Sequence, residues 1–531
     1  MRALPKNVIV NESVSSIAAQ AFFAPSNSDA IDILMEDHAR CMADIKAIHE
    51  FMKSDQMLRA VGWYFDALKE SYQRFPPEPK DVFDQGKAIK TLDAAFWNKS
   101  LRLTDVLDYM PDARRTEWLK QIEEHKTPEF TESNVRATLS SMMAQRMDFL
   151  SEMVDGIFRG LSGEHVTNRP EGFWKRMIIA NVYGYGGWVD SMHGLIQDMR
   201  TIMAKFMGRD QPHYSATRQM LDHVRKDTGT WHDVDGGAFR IRVYMKGTAH
   251  IEVHPDMAWR LNQILAHRYP VAIPSQYRKA PPKTRKVKDV ELVKNMVPFA
   301  VINAITTHNF NRHTYSFHSY SAWEDLDKHV KDKACKVLEA IGGVKESWGY
   351  QLDYDAHGVL MYIASTGMIP DHKSFQHYPT TENVAAAAIE LAEIDHKIHR
   401  CLEPSAGQGH LAELMPKATV CVEVSELHCK VLEAKGFKVE CTDFLKWNKS
   451  GGARFDRIVM NPPFSEGRAL AHVEHAASML TNKGRLVSIL PASFKNKAGI
   501  LPGMKVTWSE VYENEFVGTS VSVVILTAEK N

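Results

Sequence analysis

The sequence predicts an α/β protein: a doubly wound parallel sheet with flanking helices in the C-terminal third, preceded by a largely helical α+β region. Three observations predict it. Strand-like and helix-like segments alternate regularly from about residue 382. The notable residue clusters of that part each fall at the carboxyl end of a strand, where open sheets bind ligands. The first 345 residues show helical periodicity with one clear hairpin pattern.

In chain order, residues 28–75 read as helix, with Ile31, Leu34, Met35 and His38 at three- and four-residue steps. The PPEPK run at 76–80 breaks that pattern. Helical stretches continue to about residue 160, and the methionine-rich stripe in VRATLSSMMAQRMDFLSEMVDGIF suits core packing rather than a cofactor. GAFRIRVYMKGTAHIEVHP alternates as a hairpin with its turn at KGT, and DMAWRLNQILAHRY returns to helix. RKAPPKTRKVK, residues 278–288, packs six basic side chains into eleven, as a solvated connector or a phosphate-contacting strap would. His308, His313 and His318, spaced by five, cannot share one helix face, and no acid or cysteine completes a ligand set, so no metal is expected. WEDLDKHVKDKACKVLEAIGG closes this region as a helix. The expected division is 1–150, helical; 151–345, an α+β candidate for substrate recognition; and 346–531, the regular α/β part.

Within that last part, NVAAAAIELAEI is a helix and HRCLEP a strand; SAGQGHLAELM turns on two glycines into another helix. TVCVEV is a strand, LHCKVLEAKGF a helix, KVECTDF a strand edge and FDRIVMNPPF a strand. ALAHVEHAASML is a helix, GRLVSILP a strand, and VTWSEVYENEF and SVSVVILTAE are two final strands.

Composition excludes several classes. The 531 residues are 44% hydrophobic and 24% charged, as in ordinary globular chains, and suffice for two to four domains. No apolar run reaches membrane-spanning length and the N-terminus lacks the features of a secretory signal. Six cysteines without a CxxC pair suit buried thiols in a reducing, cytoplasmic setting. The 65 basic and 65 acidic residues cancel, which disfavours a dedicated nucleic-acid binder but not an enzyme with its positive charge on one face.

The chemistry gathers at the strand ends. Glu403, Pro404, Ser405, Ala406, Gly407 and Gly409 follow the first strand; the glycines permit a tight turn, and the next helix's N-terminus would favour a negative group. Glu423 ends the second strand, where an acid can accept ribose hydroxyls. Asp443 and Phe444 end the third, suited to an adenine amino group and an adenine face. Asn461, Pro462, Pro463 and Phe464 end the fourth. Two prolines fix an extended turn that aims the Asn461 side-chain oxygen and the Pro462 carbonyl at one point. Acceptors converging there would hold an exocyclic NH2 as its nitrogen gains positive charge, with Phe464 stacked on the planar group.

This ordered set, EPSAGQG, Glu423, Asp443-Phe444 and NPPF, resembles the class I S-adenosylmethionine-dependent amino-methyltransferases, especially the N6-adenine DNA methyltransferases of the gamma order. Tyr378, Pro379 and Thr380, after His377, resemble the segment those enzymes set against the methionine end of the cofactor. The resemblance covers about residues 370–531. It implies a Rossmann-like methyltransferase sheet, S-adenosyl-L-methionine as cofactor and duplex DNA as partner. It further implies a restriction-modification or prophage setting. LSGEHVTNRPEGFWKRMII and GTAHIEV resemble an uncharacterised domain fused to such enzymes in bacterial, prophage and phage genomes. RNA guanine-N2 and protein glutamine methyltransferases share NPPF or a close relative, so RNA or protein substrates stand as alternatives. A DNA-binding or phage-defence module with a secondary methyltransferase domain is a third. Fewer than seventy residues follow Phe464, so recognition is expected from residues 1–345. Arg278, Lys279, Lys283, Arg285, Lys286 and Lys288 are the candidate phosphate contacts, followed by Arg169, Lys175 and Arg176.

Overall fold

A computed structural model of the chain describes residues 28–68, 82–104, 106–184, 187–280, 293–307, 310–316, 323, 326–371, 379–448, 452–464, 467–495, 497, 499–513 and 521–530. Contacts divide the described residues into two compact units: 28–207 with 246–280, and 208–245 with 293–530.

The first unit is mainly helical. The expected helix over 28–75 is two helices, Ser28–Met52 and Asp55–Leu68. Ser54 separates them because its hydroxyl accepts the Met57 N–H at 3.3 Å and caps the second. The methionine-rich run is likewise two helices, Glu132–Ala144 and Arg146–Arg159, and Met142 and Met153 are buried in the core as expected. Trp97 is fully buried, and its indole N–H reaches the Pro128 carbonyl at 2.7 Å.

The second unit holds the regular α/β part. Its strands are β1 (Cys401–Pro404), β2 (Val420–Glu423), β3 (Lys438–Cys441), β4 (Phe455–Met460), β5 (Leu480–Pro491), β6 (Met504–Trp508) and β7 (Val523–Lys530). Their spatial order is β3-β2-β1-β4-β5-β7-β6; β1 to β5 are parallel and β7 runs against both β5 and β6. Strand order reverses between β1 and β4, which places the switch point of a Rossmann-like sheet there.

Helices cover both faces. We number them α1 (Lys328–Ala340), α2 (His357–Thr366), α3 (Glu382–Ala392), α4 (Glu426–Ala434) and α5 (Arg468–Ser478). Leu402, Ile458, Met460, Leu486 and Leu490 pack with Val473 and Ala476 of α5. Their sequence neighbours Cys401, Val459, Val487 and Ile489 pack with Val384, Ala385 and Ala388 of α3. Successive residues face opposite sides of a strand, so this split records a sheet buried on both faces.

One expectation fails here. The glycine-rich turn does not enter an α-helix; it leads into a single 3-10 turn, Ala412–Leu414, and then to β2. Pro416 is the physical reason: it disfavours helical backbone at Met415, which is extended at φ −100°, ψ 169°. No helix N-terminus therefore exists at this turn to hold a negative group.

Gly409 is one position where glycine is required. Its φ is +91°, and a Cβ there would stand 2.9 Å from a Leu432 methyl. Gly409→Ala is expected to cost about 2 kcal/mol from the left-handed backbone alone, measured by denaturant unfolding. A loss within error of zero would contradict this turn geometry.

Candidate functional site

Register brings the expected residues to one edge. Leu402 pairs with Ile458, so β1 and β4 run side by side, and Ser405 and Asn461 each follow the end of their strand. Pro404 pairs with Val422 and Glu423 with Cys441, which sets Glu423 beside the glycine-rich turn and Asp443 just beyond. Neighbouring strands lie about 4.8 Å apart, so this row spans four strands at the sheet's carboxyl edge.

The turn is built from unusual backbone. Ser405, Gly407 and Gly409 all take positive φ, at 62°, 56° and 91°. A left-handed serine is strained, and such strain concentrates where backbone must be held for a ligand. Glu423 holds it: one carboxylate oxygen accepts Gly407 N–H at 2.8 Å and the other Ser425 N–H at 2.7 Å. Burial pushes the Glu423 carboxyl up to about 7, against the opposing pull of those backbone donors. Glu403 lies beneath the turn, 2% exposed, and burial holds its carboxyl well above the ordinary range, with Glu423 adding to the shift. Its Oε2 is buried and makes no hydrogen bond. Pro404 and Ala406 complete the turn, Ala406 packed on Cys421 and Leu432.

At the end of β4, Asn461 donates from Nδ2 to the Thr380 hydroxyl at 3.1 Å. Thr380 is 9% exposed and lies just before α3, so the segment ahead of the sheet meets the tetrad directly. Pro462 is buried and Pro463 half-buried. Phe464 is half-buried against the core cluster on the α3 face. Pro379 is exposed, and Tyr378 lies outside the described residues.

Two residues depart from the roles expected of them. Phe444 is 3% exposed and packs among His472, His475 and Trp447, so its ring lies in the core beneath α5 rather than on an open face. Asp443 accepts the Leu445 N–H and an Arg468 guanidinium N–H, each at 3.1 Å, so a ligand amino group would share that carboxylate with Arg468. The part of each arrangement that α5 contributes, His472 and His475 on Phe444 and Arg468 on Asp443, comes from more than twenty residues away and could not be read locally.

Of the basic run, Arg278 turns inward: its guanidinium donates to the carbonyls of Pro270, at 2.5 Å, and Ile273, at 2.8 Å. These bonds from Nε and Nη2 fasten its own loop. Lys279 is exposed; Lys283, Arg285, Lys286 and Lys288 lie outside the described residues. Arg169 stacks 4.7 Å from the Trp174 ring centre and Arg176 donates to Glu252 at 2.9 Å. Among the histidines, His313 is exposed, and His308 and His318 fall outside the described residues.

Sequence reading passed over Gln408, the residue between the two glycines. It is 5% exposed and donates from Nε2 to the Ala340 carbonyl at 2.6 Å. Its place inside the turn was visible; its partner, 68 positions earlier, was not.

The strand order defines a Rossmann-like sheet with the expected residues gathered at its strand ends. A family model described as a domain of unknown function (DUF4942) matches residues 89–271. No curated protein matches the chain. Among solved structures, the chain is similar to a candidate RNA methyltransferase from Pyrococcus horikoshii, at 25% identity over 29% of this chain and 86% of that one, TM-score 0.26. It is also similar to precorrin-6y C5,15-methyltransferase from Geobacter metallireducens, at 16% identity over 28% and 89%, TM-score 0.23. A third is the ribosomal protein L11 methylase of Lactobacillus delbrueckii subsp. bulgaricus, at 15% identity over 28% and 79%, TM-score 0.23. No helix among the described residues is long and apolar enough to cross a membrane.

Proposed function

We propose that this protein is an S-adenosylmethionine-dependent methyltransferase acting on the N6 amino group of adenine in DNA. The observation that carries the reading is Asn461, bonded to Thr380, at the end of the strand adjacent to the one that leads into the Glu423-braced turn. A group presenting a planar NH2 would meet the tetrad at the same edge where the turn receives a cofactor.

The residues present fit that cofactor. Glu423 offers two buried carboxylate oxygens, each with acceptor capacity beyond its one backbone donor, to ribose hydroxyls. The orphaned Glu403 Oε2 under the turn is a polar atom that a ligand's amino-acid end would satisfy. When bound, S-adenosylmethionine supplies a methyl group already activated on sulfonium. The chain's task is then placement. The Asn461 side-chain oxygen and the Pro462 carbonyl accept the two amino hydrogens and fix the nitrogen's direction of approach. The Thr380 hydroxyl fixes the Asn461 amide, and with it which end faces the substrate.

Duplex DNA is the proposed partner, with the adenine rotated out at a cost of a few kcal/mol. The proposed division into 1–150, 151–345 and 346–531 assigns recognition to the segments before the sheet. Lys279, Lys283, Arg285, Lys286 and Lys288 are the proposed phosphate contacts.

The test offers labelled S-adenosylmethionine with unmethylated duplex DNA, ribosomal RNA and cell protein in separate reactions, followed by nucleoside and peptide mass analysis. N6-methyladenine in DNA supports the proposal. Label only in guanine of RNA, or only in protein glutamine, replaces the substrate and keeps the cofactor. Thr380→Val, which removes the partner of Asn461 but keeps the side chain's shape, is expected to lower kcat about tenfold with the cofactor Kd unchanged. An equal loss in both constants would place Thr380 at the cofactor instead.

A further inference from the structure

Helix α1 ends in a tight, glycine-rich reversal, and its last carbonyls can be accounted for one by one. The Leu338 carbonyl accepts Gly343 N–H at 2.9 Å, and that of Glu339 accepts Gly342 N–H at 3.0 Å. The Ile341 carbonyl accepts the Tyr354 hydroxyl at 2.7 Å. Between them, the Ala340 carbonyl takes the Gln408 side-chain amide at 2.6 Å. The negative end of a helix is where an N–H donor is most welcome. Gly342 leaves room for that amide: a Cβ at this position would stand 3.0 Å from Gln408 Oε1.

The same segment grips the cofactor half of the sheet at further points. Lys435, just after α4, pairs with Asp353 at 2.8 Å and with Glu413 beyond the glycine-rich turn. Glu426, at the start of α4, accepts from Tyr362 of α2 at 2.9 Å and Lys294 at 3.1 Å. Of these ties, only Gln408 originates within the turn itself.

We propose that Gln408 is a positioning residue that sets cofactor affinity by holding the glycine-rich turn against the C-terminal end of α1. It touches no reacting atom. With its amide on Ala340, residues 407 and 409 on either side are pinned in the left-handed conformations that bring Gly407 N–H to Glu423. Without that donor the turn relaxes and the buried carbonyl is orphaned. The inference rests on the reading of this turn as the S-adenosylmethionine site.

The experiment measures S-adenosylmethionine binding by calorimetry, together with kcat, KM and ligand-free thermal unfolding, on the full chain. Gln408→Met keeps length and loses the donor. It is expected to raise Kd and KM about tenfold, in line with a lost buried hydrogen bond, and to leave kcat at saturating cofactor within about twofold. Gly342→Ala presses on the Gln408 amide from a position outside the turn and is expected to weaken binding in the same direction. It also decides the matter if Gln408→Met does not fold. Unchanged Kd in folded variants, with only the unfolding temperature lowered, overturns the proposal and makes Gln408 purely structural. A wild-type chain that binds no S-adenosylmethionine overturns the functional reading itself, and this inference with it.

Discussion

Replacing Asn461 by alanine is expected to reduce kcat for methyl transfer by about 10²- to 10³-fold, the usual cost of removing one preorganised polar group from a reacting centre. The cofactor Kd should hold within about threefold. The split follows from position. Asn461 follows β4, while the glycine-rich turn is braced by Glu423, which accepts Gly407 and Ser425 N–H, and by Gln408, which donates to the Ala340 carbonyl. The nearest structural consequence is loss of the contact to Thr380, whose largely buried hydroxyl loses that partner at a cost of about 1 kcal/mol of stability. Single-turnover kinetics with saturating cofactor would separate the chemical step from binding. A variant that keeps near-full turnover would remove the tetrad from the reaction.

The second large effect concerns pH. Burial raises the Glu423 carboxyl from its ordinary 4.5 to about 7, so the folded apo protein favours the neutral acid only below that pH. Stability contributed in this way is fully present below the unfolded value and is lost as pH rises through 7. Binding runs the other way. Ribose hydroxyls are donors, and the ionised carboxylate accepts from both while still holding Gly407 and Ser425 N–H. Cofactor affinity is therefore expected to rise about tenfold between pH 6 and pH 8, tracking the ionised fraction, as apparent stability declines over the same window. Burial also holds the neighbouring Glu403 carboxyl well above the ordinary range. Glu423→Gln should abolish the pH dependence. Its NH2 would oppose one of the two backbone donors, so its affinity should fall at least tenfold below wild type at pH 8. Calorimetry at three pH values suffices, and a flat wild-type profile would remove Glu423 from ribose binding.

Much of the sheet was legible because parallel, doubly covered strands leave a strong local trace. β1 and β2 are short strands buried along their whole length, whose apolar residues give way to Glu403-Pro404 and to Glu423. The NPPF tetrad was equally plain, since two prolines cannot continue a central strand. The helix after the glycine-rich turn was misread because HLAELM has helical composition, whereas Pro416 and the short reach to β2 allow only one 3-10 turn. The long helix expected over 28–75 was misjudged for a related reason: its apolar spacing runs on, but the Ser54 cap restarts it.

The site divides along the same line. Glu423, Asn461 and the glycines could be chosen from sequence because their roles follow from being at a strand end, and strand ends show in the pattern of apolar residues. What each side chain finally touches is set by chain that is distant in sequence and adjacent in space. Phe444 was assigned to an adenine face and is packed beneath α5; Arg278 was assigned to phosphate and donates to carbonyls of its own loop. Gln408 looked like spacing between two glycines and proves to be bonded to the end of a helix 68 residues earlier. The sequence by itself determined the order of strands and helices and the chemical types at the carboxyl edge, because both follow from local periodicity and backbone stereochemistry. Only the tertiary structure decided which of those groups remain available to a ligand, because buried polar atoms take whatever partner the packing of remote segments supplies.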